Sequence, residues 1–169
     1  KTDIERSFQT LNEAIHLSKQ LQSRRTLPQL HLLMGSLQVL RRQFKKAKHW
    51  FQQSALLANQ FGDPLSLVKA HALLSQLYQF REAPIARRTA IEHLEAATLA
   101  EQSLQQPVDE LLRAKEIFAQ VWLREGNHKK ANDLLDGAQK GWHLMGNVRE
   151  AKRIETLFEQ NIDRFKTKT

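Results

Sequence analysis

Histidine is the residue type here best able to bind a metal or move a proton near neutral pH. The seven histidines are scattered at positions 16, 31, 49, 71, 93, 128 and 143. Only Glu92, His93 and Glu95 form a dense His/carboxylate group. On a helix, residues 92 and 95 share a face while 93 points about 100° away. The three therefore converge poorly on a metal, and a solvated face is expected. Cysteine is absent, which removes disulfides, thiolate zinc sites and cysteine nucleophiles. The sequence contains no glycine-rich phosphate loop, HExxH or nucleophile elbow. No catalytic residue, metal or cofactor is expected, and the chain does not read as an enzyme. Tryptophans 50, 122 and 142 fall where helix packing needs bulk. Trp142, behind Gly141 and near a helix end, is expected to be the most exposed of the three.

The elements that position these residues are helices. Leu, Ala, Gln, Lys, Arg and Glu dominate, with 6 Gly and 4 Pro in 169 residues. Apolar residues recur at helical spacing, as in Ile4, Phe8, Leu11, Ile15 and Leu21. Pro28, Pro64, Pro84 and Pro107 stand where apolar stripes begin, which suits the first helical turn. Asp63 is expected to cap a helix, and Thr26–Gln29 and Asn147–Glu150 have capping-box spacing. Gly62 and Gly146 read as helix stops. Eight helices follow, near 2–23, 27–42, 44–61, 64–81, 84–104, 107–125, 128–145 and 148–165, with links short enough to make neighbours antiparallel.

A repeat orders them. Small residues at Ser7, Ala47, Ala90 and Ala131 are 40, 43 and 41 residues apart, and each is followed seven residues later by Ala14, Ser54, Ala97 or Ala138. In the intervening helices Gly35, Ser75 and Ala119 recur at 40 and 44. Met34, Leu74 and Phe118 precede these small residues, and Phe51, Leu94 and Leu135 supply bulk in the second helices. Small residues let helices approach while large ones fill the facing gaps.

These residues resemble the tetratricopeptide repeat, most clearly in LLMGSLQVLRRQFKKAKHWFQQSALLA and EIFAQVWLREGNHKKANDLLDGAQ. In the second stretch Gly126 and Asn127 match the family's turn and Ala131 its most restrictive small position. The unit exceeds the usual length of about 34 residues and matches the subclass of about 40. The third pair carries a longer loop, REAPIARR, and Glu159 or Gln160 replaces a small residue in the last helix, which reads as a cap. The chain starts with a second-type helix and lacks an initiator Met, so it reads as a fragment of a longer protein. The resemblance implies one all-α domain over 1–169, an α-α superhelix of antiparallel helix pairs, whose concave face, lined by the first helix of each pair, binds a partner.

Counting from the small residues, the concave positions are Gln29, Leu32, Leu33, Ser36 and Val39, then Lys69, Ala72, Gln76 and Gln79, then Arg113, Glu116, Gln120 and Arg124. Leu32, Leu33 and Val39 have the alternative of packing against the next pair. The Lys/Asn/Arg clamp of the family's chaperone-tail binders is absent. A second candidate surface is electrostatic. The net charge is +8, and no Asp or Glu occurs between Glu13 and Asp63. Arg41, Arg42, Lys45, Lys46, Lys48, Arg81, Arg87, Arg88, Arg124, Lys129 and Lys130 gather at the within-pair turns, opposed only by Glu82 and Glu125. Cations at helix N-termini cost about 0.3–1 kcal/mol, so helix stability does not explain Lys45, Lys46, Arg87, Arg88, Lys129 and Lys130. One basic ridge facing an acidic partner is expected, or a solubilising rim.

The leading expectation is an intracellular, cytoplasmic scaffold that binds a protein or peptide, with no sequence-specific nucleic acid. The alternative is a regulatory, effector-sensing segment of a larger signalling protein such as a bacterial transcription activator. No apolar run is long enough to cross a membrane.

Overall fold

A computed structural model describes residues 3–79 and 84–166. The part of the REAPIARR loop at 81–83 and the side chains of Pro84, Ile85, Glu159 and Gln160 lie outside the described residues. The fold is all-α, with eight α-helices and no strand among the described residues. Contacts divide it into two compact units, Lys1–Ser103 and Leu104–Thr169. The first holds α1 (Asp3–Gln20), α2 (Leu27–Leu40), α3 (Phe44–Phe61), α4 (Pro64–Gln79) and α5 (Pro84–Glu101). The second holds α6 (Asp109–Arg124), α7 (His128–Leu144) and α8 (Val148–Lys166).

One turn geometry is reused to end the helices. Gln22, Arg42, Gly62, Gly126 and Gly146 all have positive φ. The next amide donates to the carbonyl five residues back in each case: Ser23 to Ser18, Gln43 to Gln38, Asp63 to Ala58, Asn127 to Trp122 and Asn147 to Trp142. That bond pattern closes a helix by satisfying its last carbonyls. Glycine takes the left-handed position at no steric cost, whereas Gln22 and Arg42 hold it with a side chain.

Side chains cap three helix starts, two of them, Asp63 and Asn147, as the spacing predicts and the third, Asn127, not foreseen as a cap. Asp63 accepts from the Ser66 amide at 3.0 Å, Asn127 from Lys130 at 3.3 Å and Asn147 from Glu150 at 3.3 Å. The expected Thr26 cap does not form. Its hydroxyl donates instead to the Ser23 carbonyl at 2.8 Å, beside Ser18 Oγ, and so ties the α1–α2 turn. Pro107 precedes the Val108 N-cap rather than entering α6.

The small/large register is realised in the packing. Ala47, Ser54, Ser75, Ala90, Ala97, Ala119, Ala131 and Ala138 are all fully buried. Met34, Phe51, Leu74, Phe118 and Leu135 are sealed beside them, and Leu94 is buried. A Cβ on Gly35 would overlap the Phe51 ring, and one on Gly141 would overlap Leu112. Glycine at these two places is what lets α2 approach α3 and α7 approach α6. Ser54 adds a buried hydrogen bond, its hydroxyl donating to the Pro28 carbonyl at 2.8 Å.

Candidate partner-binding surface

The predicted concave residues divide by depth. In the first unit Gln29 is exposed, and Ser36, Val39, Lys69 and Gln76 are half-buried. Leu32 does not face a partner. It is buried among Ala47, Phe51, Ala70 and Leu74, with Val39 packed on the same cluster. Ala72, at the same place in the repeat, is sealed. The Gln79 side chain lies outside the described residues.

In the second unit Arg113 and Gln120 are exposed. Glu116 is not: it is only 4% exposed. One carboxylate oxygen accepts the Trp142 indole N–H at 2.7 Å and the other accepts from the Arg153 guanidinium. Glu150 also accepts from Arg153, at 2.8 Å. A buried carboxylate is tolerated only when paired and hydrogen-bonded, and these donors meet that condition. The same bond corrects the expectation for Trp142. Its one polar atom is satisfied inside, so the ring is 2% exposed and packs with Leu112, Leu135, Ala138 and Ile154. Arg113 lies over its face, 5.5 Å from the centroid.

An open groove runs between α1 and α2, with a cavity of about 530 Å³. From α1 it is lined by Arg6, Ser7, Thr10, Leu11 and Ala14, and from α2 by Leu33, Ser36, Leu37 and Leu40. Leu33 is 55% exposed and Leu40 66% exposed. Of the predicted residues, Leu33 and Ser36 reach this groove. The α1 residues were missed as a surface, although Ser7 and Ala14 already stood out in the repeat register.

The basic edge is partly tethered. Arg41 pairs with Glu5 at 3.2 Å and lies over the Phe8 ring. Lys48 lies over Tyr78, and Arg88 pairs with Glu92 at 3.0 Å. Arg42, Lys45 and Lys46 are exposed, and Arg87 is half-buried. In the second unit Lys129 is exposed and Lys130 lies 4.5 Å from the Trp122 ring centroid. Exposed pairs of this kind contribute about 0–1 kcal/mol each.

The histidines build contacts between helices. His71 on α4 and His93 on α5 meet with their Nδ1 atoms 2.9 Å apart, and Tyr78 stacks on His93. One Nδ1 must carry the proton and the other accept it. His93 thus meets His71 and Glu92 pairs with Arg88, and no group of three or more metal-ligating side chains occurs among the described residues. Burial lowers the pKa of His71, and burial with the neighbouring His71 brings His93 to about 4. His31, buried edge-to-face against Trp50, is brought to about 4 by desolvation, then by Lys19 and His49.

A pH dependence follows. The folded pKa lies below the unfolded value near 6.5, so between the two the unfolded chain binds more protons. For His31 and His93 stability should fall as pH drops from about 6.5 to about 4 and should level off below that. His31 alone is expected to account for a loss on the order of 2 kcal/mol. Urea denaturation at pH 7 and pH 4.5 checks this: His31→Leu should show a smaller pH loss than the wild type. Identical losses would contradict the assignment.

No protein-family model matches the chain, and no curated protein matches it. Among solved structures it is similar to the crystal structure of BtubC (BKLC) from P. vanneervenii, with TM-score 0.64 and 16% identity. The likeness covers 87% of this chain and 60% of that one, so this chain spans under two thirds of that neighbour's length. At this identity the likeness speaks for the fold alone. No described helix is long and apolar enough to cross a membrane.

Proposed function

We propose that the chain is an interaction scaffold of the tetratricopeptide type that binds a protein or peptide segment and has no catalysis of its own. The observation that carries this reading is the α1–α2 groove. Large leucines stay exposed at Leu33 and Leu40, whereas Leu73, forty residues after Leu33, packs against the α2–α3 cluster. Apolar grooves between helices are common seats for peptide segments. The exposed cations Arg42, Lys45 and Lys46 favour an acidic partner, by raising the encounter rate more than the affinity. A cysteine-free chain suits a reducing, intracellular compartment.

The test is saturable capture. The immobilised chain should retain a defined protein from a cell extract, with a dissociation constant of about 1–10 μM, roughly −7 to −8 kcal/mol. Failure to retain any protein saturably would overturn the scaffold reading.

A further inference from the structure

In the sequence His93 stands between two carboxylates that do not converge with it. The fold supplies a different neighbour. His71 on α4 and His93 on α5 turn their rings toward each other, with Nδ1 atoms 2.9 Å apart and ring centroids 5.1 Å apart. The two rings are set by what surrounds them. Tyr78 on α4 stacks on His93, 5.7 Å between centroids, and Lys48 on α3 lies over the Tyr78 ring. Ala70, Ala72, Ala90 and Leu94 are buried beside the two histidines in sequence, which fixes the backbone under each ring. Both histidines are themselves half-buried rather than sealed.

We propose that His71 and His93 form a two-imidazole site for one divalent transition ion, Ni²⁺ or Cu²⁺, that clasps α4 to α5. Neither histidine lines the α1–α2 groove, so the site stands or falls apart from the scaffold reading. The separation of the nitrogens selects the ion. Imidazole binds zinc at about 2.0–2.1 Å, and an ion at that distance from both Nδ1 atoms holds them about 90° apart. Right-angled nitrogen neighbours suit the square-planar and tetragonal ions, Cu²⁺ and Ni²⁺. Tetrahedral zinc would need the rings to part by about 0.4 Å. Calcium and magnesium take oxygen ligands instead. Two protein nitrogens leave the other positions to water, which a half-buried place admits. The charges facing His93 nearly balance, since Glu92 favours a positive charge there and Lys48 opposes it. Without an ion, one Nδ1 carries the proton that the other accepts. An ion takes both Nδ1 lone pairs. The displaced proton leaves to water while water protonates Nε2 of the same ring, so both imidazoles stay neutral and no net proton is released.

Titration of the 169-residue chain with NiCl₂ and with CuCl₂ tests the site. One ion per chain should bind saturably, Cu²⁺ more tightly than Ni²⁺, the usual order for nitrogen ligands. His71→Gln and His93→Gln should each weaken binding by about tenfold or more, since either leaves a single imidazole. His16, His49 and His143 are exposed rivals for the ion, and replacing all three by Gln should leave the tight site intact. Electron paramagnetic resonance of the one-to-one Cu²⁺ complex should show hyperfine splitting from two nitrogens. The wild type gives a readout that needs no variant. The first equivalent of Cu²⁺ should broaden the NMR ring signals of His71, His93 and Tyr78 before those of His16, His49 and His143. Equal affinity in the wild type and both single variants, or first broadening at the exposed histidines, would mean an adventitious ion only and would overturn the site. Absence of saturable one-to-one binding would overturn it as well.

Discussion

Replacing Trp142 by alanine is expected to destabilise the second unit by about 3–5 kcal/mol, the range for removing a buried large aromatic side chain. The indole sits in the cluster that joins α6, α7 and α8, with Leu112, Ala119, Leu135 and Ile154. Its loss opens a cavity and also takes a hydrogen bond from Glu116, a carboxylate held 4% exposed. Trp142→Phe separates the two effects. It keeps most of the volume and removes the N–H, so it should cost about 1–3 kcal/mol, the penalty for an under-satisfied buried acceptor. Urea denaturation followed by far-UV circular dichroism reads both variants. A Trp142→Ala loss below about 1 kcal/mol would mean the ring is not the centre of that core.

The second large effect is at the α2–α3 crossing, and there a sign should reverse. Phe51→Ala should cost about 3–5 kcal/mol, since the ring is 1% exposed. Gly35→Ala in the wild type should also destabilise, by about 1–3 kcal/mol, because its Cβ would overlap the Phe51 ring. In the Phe51→Ala background the same change should be neutral or stabilising. The ring is gone, and alanine is favoured over glycine inside a helix by about 1 kcal/mol. Additive costs in the double variant would show that the two residues do not share the crossing.

The fold was legible because helix crossings impose residue sizes. Where two axes come close only Gly, Ala or Ser fits, and that constraint writes a 40-residue register that Gly35, Ala47, Ser54 and Ala131 display openly. The helix ends were legible for a similar reason, since Asp63 and Asn147 each answer an orphan amide. Depth along the first helix of each pair was harder to read. Periodicity says which residues share a face, not whether another helix covers that face. Leu32, Ala72 and Glu116 occupy one column of the repeat, and all three are buried. The apolar residues at the first two places signal that burial. Glu116 hid it, because a carboxylate reads as exposed until its partners Trp142 and Arg153 are in view.

The groove illustrates the converse. Ser7 and Ala14 carry the register, so they read as packed positions, yet no helix among the described residues covers them. Only the arrangement of α1 against α2 reveals the opening. The basic edge was legible as charge but not as pairing, because Arg41–Glu5 joins residues far apart in the sequence.

Two-dimensional NMR of the chain, with amide and leucine-methyl signals followed as a captured partner is added, tests the central claim most directly. The account predicts shifts centred on Ser7, Leu11, Leu33, Ser36 and Leu40, the residues of the α1–α2 groove. Shifts confined to Lys45, Lys46, Arg87 and Arg88, with those groove signals unmoved, would contradict it and give the interaction to the basic edge.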